Sequence, residues 1–182
     1  MSETNDFVLT IRSGGQTGVD RAALDAALRY NATTNLPNFD NNAKKSQLIH
    51  VTGWCPKGRL AEDGPIPSRY PLIETPTSLY SERTEWNIRD ADATLVLLLS
   101  ATVPPDHGTS FTIEKANELQ KPSKIIFLDD DIMTNASQVL NWMNDNKVKT
   151  LNVAGPRESN CSGIYAEAYD FLNALLRKRL EK

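Results

Sequence analysis

The segment FVLTIRSGGQTGVDRAALDAAL, residues 7–28, joins an apolar run to an alanine-rich stretch through a turn with three glycines. The run Phe7–Arg12 predicts a β-strand, and Val19–Tyr30 has apolar residues three and four positions apart, which predicts a helix. A strand, a turn and a helix in this order are typical of a parallel sheet covered by helices. The turn, Ser13–Gly18, would lie at the carboxyl end of the strand, where open parallel sheets bind ligands.

The rest of the chain repeats this alternation of short apolar runs and helical patterns. The other predicted strands are Leu48–Thr52, Thr94–Ser100, Lys124–Leu128 and Thr150–Val153. The other predicted helices are Ser81–Asp90, Thr109–Lys121, Ala136–Asn146 and Ile164–Arg179. The run Leu95–Leu99 lacks polar alternation, which is typical of a central strand buried on both faces. We therefore expect a doubly wound α/β domain with three layers, helices on both faces of a mainly parallel sheet of about five strands.

Two stretches fit neither pattern. Asn31–Ser46 is rich in Asn, Thr, Asp and Lys, which predicts a mobile surface insertion. Pro56–Pro76 is rich in proline and too long for a simple connection, so we expect it to be ordered and to fold over a neighbouring part of the molecule.

Composition limits the classes of protein. With 182 residues, 40% of them hydrophobic, the chain can bury one core, so residues 1–182 are expected to form a single domain. The net charge of -3 and the scattered basic residues argue against a nucleic-acid partner. No apolar run approaches the roughly 20 residues that cross a membrane, and the first residues are polar, so we expect a soluble, cytoplasmic protein. Cys55 and Cys161 are far apart in sequence, which favours neither a disulfide nor a metal site.

The residues that follow the predicted strands form a candidate anion-binding pocket. Glycines let a ligand approach the backbone, and the N-terminal end of each following helix favours negative charge. We predict that a phosphate-bearing small molecule binds here, with anionic groups over Gly14–Gly18 and Gly108–Ser110. The candidate binding residues are Gly14, Gly15, Gln16, Thr17, Gly18, Trp54, Lys57, Gly108, Thr109, Ser110, Arg157 and Ser159.

The first turn also has a purely structural interpretation. Thr17-Gly18-Val19-Asp20 fits a capping box, and two adjacent glycines can simply form a tight turn. The turn matches neither a Walker A loop nor the G-x-G-x-x-G motif, so ATP hydrolysis and ordinary NAD chemistry lose support. If the turn does hold an anion, Gly15→Asp should abolish binding and leave the fold intact.

Several basic side chains could either bind a ligand or form surface ion pairs. Arg157 could hold phosphate through two hydrogen bonds or form a surface pair with Glu158 or Asp63, and Lys57 and Arg59 are equally ambiguous.

Trp54 could stack on a ligand ring, although core packing is the commoner role of such a residue. Cys55 could bind a soft metal, but a small buried hydrophobe is favoured. His107 lies at a predicted helix start, where it could contact an anion when protonated, whereas His50 lies within a strand and is expected to be structural.

The segment 83–90 predicts a helix on which Glu85 and Arg89 form an ion pair. The alternative is that Glu85, Asn87 or Asp90 points into the crevice or across a subunit contact.

Four stretches resemble one known family. They are SGGQTGVDRAALDAAL (13–28), GWCPKGRLAEDGPIPSRYPLIETPTSLYSERTEWNIRDADATLVLL (53–98), HGTSFTIEKANELQKP (107–122) and LNVAGPRESNCSGIYAEAYDFL (151–172). They resemble the molybdenum carrier family, the molybdenum cofactor carrier proteins, which are Rossmann-like domains related to the lysine-decarboxylase-like LOG enzymes. The resemblance implies a homo-oligomer, a dimer or tetramer, without chemistry of its own. Such a protein binds the molybdenum cofactor, a phosphorylated pterin whose dithiolene holds molybdenum, and protects it until delivery. The implied partners are molybdoenzymes or cofactor-synthesis proteins.

The LOG relatives suggest a rival function, the hydrolysis of a nucleoside 5'-monophosphate. Their motif P-G-G-x-G-T-x-x-E places a glutamate three residues after the threonine, where this chain has Thr112. A threonine cannot supply the carboxylate that this chemistry needs, and Glu114 lies about 200° around the helix. A third possibility is a module that binds a nucleotide without turnover.

Overall fold

The carboxyl ends of three neighbouring strands meet at one edge of the central sheet, and this arrangement positions the site described below. The structure is a computed structural model that describes residues 9–34 and 48–180. The strands are β1 (Thr10–Arg12), β2 (His50–Thr52), β3 (Trp54–Cys55), β4 (Leu60–Ala61), β5 (Gly64–Pro65), β6 (Ile73–Glu74), β7 (Ala93–Leu98), β8 (Ser123–Phe127) and β9 (Thr150–Ala154). The helices are α1 (Val19–Thr34), α2 (Tyr80–Arg89), α3 (His107–Glu118), α4 (Ile132–Asp145) and α5 (Ile164–Leu180).

The central sheet has five strands, all parallel, in the order β2-β1-β9-β7-β8. Ile11 of β1 is in register with Val51 on one side and Leu151 on the other. Helices α1 and α4 both pack on α5, and α2 packs on α3. The expected Rossmann-like, three-layer α/β fold is therefore confirmed, and each of the five predicted strands contributes to the sheet.

The core follows the hydrophobic pattern of the sequence. All six residues of β7 are buried, as expected for a central strand without polar alternation. Leu24 of α1 and Phe171 of α5 are fully buried where these two helices meet. The long α1–α5 contact explains why these two segments showed clear helical periodicity.

The region predicted to be a mobile insertion, Asn31–Ser46, begins inside a helix. Helix α1 continues to Thr34, so the prediction is wrong for residues 31–34. The side chain of Asn31 donates to the carbonyl of Ile49 and accepts from its N–H, both at 2.8 Å. These two hydrogen bonds tie the end of α1 to the residue before β2, while residues 35–46 lie outside the described part of the chain.

The proline-rich segment 56–76, which we call the strap, is ordered. Within the strap, β4 and β5 form an antiparallel hairpin. Strand β6 pairs with β3, which directly precedes the strap in sequence. The guanidinium of Arg59 donates hydrogen bonds of 2.8 to 3.2 Å to carbonyls of the strap. Arg59 thus holds the strap together instead of pointing into a ligand site.

Two further findings concern the described residues only. None of their helices is long and apolar enough to cross a membrane. They contain no group of three or more His, Cys, Asp or Glu side chains that could hold a metal ion, and both cysteines are free.

Candidate functional site

A cavity of about 490 Å³, which we call the central cavity, lies where the chain leaves β1, β7 and β9. Its wall includes Gln16 and Asp20 after β1, residues 106–109, 111 and 112 at the start of α3, and residues 154, 155 and 157 at the end of β9 and just after it. Helix α2 closes one side with Tyr80 and Arg83. This position, beyond the carboxyl ends of parallel strands, and this volume are typical of a small-molecule site.

The structure brings part of the predicted set together. The predicted residues that line the central cavity are Gln16, Gly108, Thr109 and Arg157. Thr17 and Gly18 line a second cavity of about 310 Å³ between α1, α5 and the strap. The predicted residues that line neither cavity are Gly14, Gly15, Trp54, Lys57, Ser110 and Ser159.

Gln16 lines the central cavity, and its side-chain amide has one unsatisfied donor. Its residue is 4% exposed, and its Oε1 accepts from the backbone N–H groups of Thr17 at 3.0 Å and Glu62 at 2.9 Å. These two donors fix which end of the amide is the oxygen. The other end, Nε2, is buried and has no hydrogen-bond partner within residues 9–34 and 48–180.

Arg83 is a further residue of the cavity wall, and it was not among the candidates predicted from the sequence. Its Nη1 contacts Asp20 Oδ2 at 2.9 Å, and Asp20 is buried. A Cβ atom at Gly14 would overlap this guanidinium, so Gly14 makes room for Arg83 and not for a ligand. The Nε atom of Arg83 is buried and has no hydrogen-bond partner in the described chain. Arg83 is 63 residues from Asp20, and no local pattern marks such a contact.

At the starts of α3 and α5, the protein's own carboxylates already bind backbone donors. Asp106 accepts from Thr109 N at 2.7 Å at the start of α3. Glu158 accepts from Gly163 N at 2.5 Å and Tyr165 N at 3.1 Å at the start of α5. An anion placed over Gly108–Ser110 would therefore compete with Asp106.

The carboxylate of Asp106 is stabilised in its charged form. Burial alone would raise its pKa, but hydrogen bonds from Asn160 and Thr109 outweigh burial and lower it. Asn160 Nδ2 lies 2.6 Å from Asp106 Oδ2. The start of α3 consequently carries a fixed negative charge at the cavity wall.

Glu62 of the strap gathers three of the residues expected to bind ligand. Its carboxylate accepts from the hydroxyls of Thr17 and Ser159 and from Ser159 N at 3.2 Å. Arg157 Nη1 lies 3.8 Å from Glu62 Oε2, so the partner of Arg157 is neither Glu158 nor Asp63. Thr17 and Ser159 thus meet around the exposed carboxylate of Glu62, while Arg157 lies next to that carboxylate and also lines the cavity.

The glycine turn packs against protein atoms. Gly15 has φ 78°, and a Cβ atom there would lie 2.5 Å from Leu72 Cδ1 of the strap. A Cβ atom at Gly18 would overlap the carbonyl oxygen of Pro156. The expectation that Gly15→Asp leaves the fold intact is therefore wrong, because the new side chain would collide with the strap.

The predicted capping box of residues 17–20 does not form. Asp20 Oδ2 instead accepts from Gln16 N at 3.3 Å and pairs with Arg83. The Thr17 hydroxyl is directed to Glu62, and α1 starts at Val19 after Gly18.

Trp54 and Cys55 have structural contacts. Trp54 Nε1 donates to Asp90 Oδ2 at 2.7 Å, and its ring packs edge-on against Trp86 at 4.8 Å. Cys55 is fully buried, and burial raises the pKa of its thiol, which favours the neutral form. Lys57 is exposed on the strap.

Polar residues of α2 form ion pairs with α3 and with the end of α2, and hydrogen bonds with the backbone of β3. Glu85 lies 3.8 Å from Lys115, whereas Arg89 pairs with Asp90 at 2.7 Å, so the expected Glu85–Arg89 ion pair is wrong. Asn87 is buried and binds the backbone N–H and carbonyl of Trp54.

Thr112 occupies the position of the glutamate in the LOG motif, and its hydroxyl is already hydrogen-bonded within the protein. Thr112 is buried in the cavity wall and donates to the carbonyl of Gly108 at 3.0 Å. Glu114 is exposed and is not part of that wall. His107 lines the cavity and is exposed, while His50 of β2 is also exposed.

Comparisons with known proteins agree with this fold. No curated protein matches the sequence. Among solved structures, the chain is similar to a protein of Syntrophus aciditrophicus SB named "Putative molybdenum carrier protein". The two chains are 38% identical, the match covers 93% of this chain and 96% of that chain, and the TM-score is 0.79. The resemblance to molybdenum carriers inferred from the sequence is thereby confirmed.

Residues 11–176 match the model of the circularly permutated YpsA SLOG family. This match spans nearly the whole of the central sheet, from β1 to β9, and all or most of each helix. The chain therefore belongs to the circularly permutated YpsA SLOG family.

Proposed function

We propose that this protein binds the molybdenum cofactor, or a related phosphorylated pterin, in the central cavity and protects it until delivery. The observation that carries the proposal is a cavity of about 490 Å³ with unsatisfied buried donors, in a chain 38% identical to a protein named as a molybdenum carrier. A site of this kind binds a small molecule that has hydrogen-bond acceptors.

The lining suits a flat heterocycle with an anionic end. Tyr80 and Phe111 give the wall aromatic surface, and Arg157 lies 5.7 Å from the centre of the Tyr80 ring. Gln16 and Arg83 supply donors on the inner side. Because the dithiolene of the cofactor holds the molybdenum, the protein need not provide a metal ligand.

The same wall argues for binding without catalysis. Asp20 is paired with Arg83, Asp106 caps α3, and Thr112 stands where the LOG enzymes have their glutamate. Neither carboxylate is free to act as the acid or base of a glycosidic hydrolysis. The resemblance to molybdenum carriers supports a cargo-binding role instead.

We further propose that the carrier is a cytoplasmic homo-oligomer, a dimer or tetramer, that exchanges cargo with molybdoenzymes or cofactor-synthesis proteins. The family resemblance supports this part. Leu79 and Tyr80, 61% and 38% exposed, place apolar surface beside the cavity where a protein could dock.

The test is anaerobic gel filtration of the protein with molybdenum cofactor, with molybdenum and pterin assayed in the protein peak. The proposal predicts that both elute with the protein in equal amounts. A parallel incubation with AMP is expected to release no adenine. Release of adenine without retention of cofactor would establish the hydrolase instead, and retention of intact AMP alone would establish a nucleotide-binding module.

A further inference from the structure

We propose that the inner wall of the central cavity contains an oxyanion subsite formed by Gln16 Nε2 and Arg83 Nε. The subsite would take a tetrahedral oxyanion, such as a phosphate group or molybdate. The inference deepens the proposed function and rests on it only in taking the central cavity as the ligand site.

Gln16 provides the first donor. Gln16 is 4% exposed, and buried polar groups of this kind normally have a hydrogen-bond partner, because an unpaired one destabilises the folded state. Rotating the amide would not help, since the oxygen already accepts from Thr17 N and Glu62 N. The backbone N–H groups of Thr17 and Glu62 therefore fix Nε2 as the donor end of the amide, and this donor has no partner in the described chain.

Arg83 provides the second donor and the positive charge. Asp20 holds the guanidinium through Nη1 at 2.9 Å, which leaves the Nε–H on another side of the group. The side chain of Arg83 is 15% exposed and reaches the cavity past Gly14. An ion pair with Asp20 leaves this end of the cavity nearly neutral, which suits one oxyanion more than a chain of phosphates.

The other expected anion sites are less suited. Asp106 and Glu158 occupy the backbone donors at the starts of α3 and α5, and Glu62 occupies Thr17 and Ser159. Thr109 also lines the cavity, and its hydroxyl oxygen is buried without a hydrogen-bond partner in the described chain. This hydroxyl lies beside the Asp106 carboxylate, whose negative charge opposes an anion there. Of the buried side-chain N–H donors on described residues that line the cavity, Gln16 Nε2 and Arg83 Nε are the two without a partner.

The experiment uses the full chain labelled with ¹⁵N. Phosphate and molybdate are titrated separately while the side-chain N–H signals of Gln16 and Arg83 are followed by NMR. Gln16→Glu keeps the oxygen that accepts from Thr17 and Glu62 but replaces the donor with a carboxylate oxygen. Arg83→Lys keeps the charge that faces Asp20 but removes Nε. Gln138→Glu on α4 and Arg89→Lys on α2, both at exposed positions, make the same chemical changes outside the cavity.

The proposal predicts that at least one oxyanion shifts both side-chain signals, and that Gln16→Glu and Arg83→Lys each weaken its binding about tenfold or more. The control variants should bind like the unmodified protein. The relative affinities for phosphate and molybdate identify which group of the ligand the subsite takes.

Absence of any shift at Gln16 and Arg83, or equal binding by all four variants, would overturn the subsite. This result is distinguishable from failure of the carrier function. Cofactor retained equally by wild type and Gln16→Glu would reject the subsite alone, whereas oxyanion shifts without retention of cofactor would reject the carrier alone.

Discussion

Gly14 and Arg83 show how a single residue can serve a different purpose from the one its sequence context indicates. Two glycines after a strand favour close approach of a ligand to the backbone. In the structure, the space at Gly14 is filled by the Arg83 guanidinium, which is bound to buried Asp20. The glycine therefore supports the site indirectly, by letting a charged side chain reach it.

Gly14→Ala should lower the free energy of unfolding by about 1–3 kcal/mol, because the added methyl group displaces Arg83 and leaves buried Asp20 without its partner. Urea denaturation measures this change. Gly108→Ala is the matched control, since a Cβ atom there meets only Asp106 Oδ1, at an ordinary 3.7 Å. It should be neutral or slightly stabilising within helix α3. Equal stability of Gly14→Ala and wild type would show that Arg83 does not depend on the glycine.

Gln16 and Arg83 both line the central cavity, but only Gln16 was among the candidate residues predicted from the sequence. Gln16 lies in a turn directly after a strand, where a parallel sheet places ligand groups. Arg83 lies on α2, and its contact with Asp20, 63 residues away, depends on tertiary packing that no local sequence pattern marks. The roles of Thr17 and Ser159 were also beyond prediction, because Glu62 comes from a strap with irregular structure.

The strap is the element that links the glycine turn, α1 and α5. Tyr70 of the strap donates to Asp25 of α1 at 2.8 Å, and Tyr165 of α5 donates to the same carboxylate at 2.9 Å. Tyr70 is fully buried. Burial and the hydrogen bond to Asp25 raise the pKa values of both tyrosines.

Tyr165→Phe should reduce the free energy of unfolding by about 1–2 kcal/mol at neutral pH, because Asp25 loses a donor. The raised pKa also predicts a pH dependence. Below pH 10.0, the ordinary pKa of tyrosine, Tyr165 is protonated in both the folded and the unfolded state, and its hydroxyl makes its full contribution to the free energy of unfolding. Above pH 10.0 the tyrosine of the unfolded state ionises first, because the pKa in the folded state is raised, and this contribution declines. The difference between variant and wild type should therefore shrink in unfolding experiments above that pH. Tyr169→Phe, which alters the ring stacked on Tyr165, is the control and should change stability little.

Glu62→Gln should weaken the attachment of the strap to the turn. Burial opposes the charged carboxylate, but hydrogen bonds from Ser159 and Thr17 outweigh burial and lower its pKa below the ordinary 4.5. Its contribution to stability is thus present above that pH and is lost as the pH falls through the lowered pKa. We expect a loss below about 1 kcal/mol at neutral pH, since the group is largely solvated, and none at about pH 2.

Unfolding of Glu62→Gln at both pH values checks the expected loss, with Glu114→Gln on α3 as a control for removing an exposed carboxylate. A difference that persists unchanged in acid would show that the charge of Glu62 does not hold the strap.

Elements with strong periodicity were predictable, and short ones were not. The five strands of the central sheet and the five helices follow apolar runs and helical spacing in the sequence. Strands β3 to β6 have two residues each, which is too short for any periodic signal. The strap was expected to be ordered from its prolines, but its pairing partners depend on contacts with Gly15 and α1.

The topology of the whole sheet assembles the candidate site, because β9, the last strand in sequence, lies between β1 and β7. This order joins the turn after β1, the start of α3 and the loop after β9 around one cavity. Hydrophobic patterns identify strands but not their neighbours, so the strand order could not be read from them. The family resemblance implied a Rossmann-like domain, but no strand order was predicted from it.

A carrier that binds its cargo only when folded should be stabilised by that cargo. Molybdenum cofactor at one hundred times its Kd should raise the free energy of unfolding by about 2.7 kcal/mol. Anaerobic thermal unfolding with and without cofactor measures this effect, and AMP at the same concentration should have none. Stabilisation by AMP but not by cofactor would favour the nucleotide-binding alternative.

A crystal structure of the complex with molybdenum cofactor, with anomalous data collected at the molybdenum absorption edge, tests the proposed binding site most directly. We expect an anomalous peak inside the central cavity, with an oxyanion of the ligand contacting Gln16 Nε2 and Arg83 Nε. A peak in the second cavity or at the outer surface of the strap, with Gln16 and Arg83 free of ligand, would contradict it.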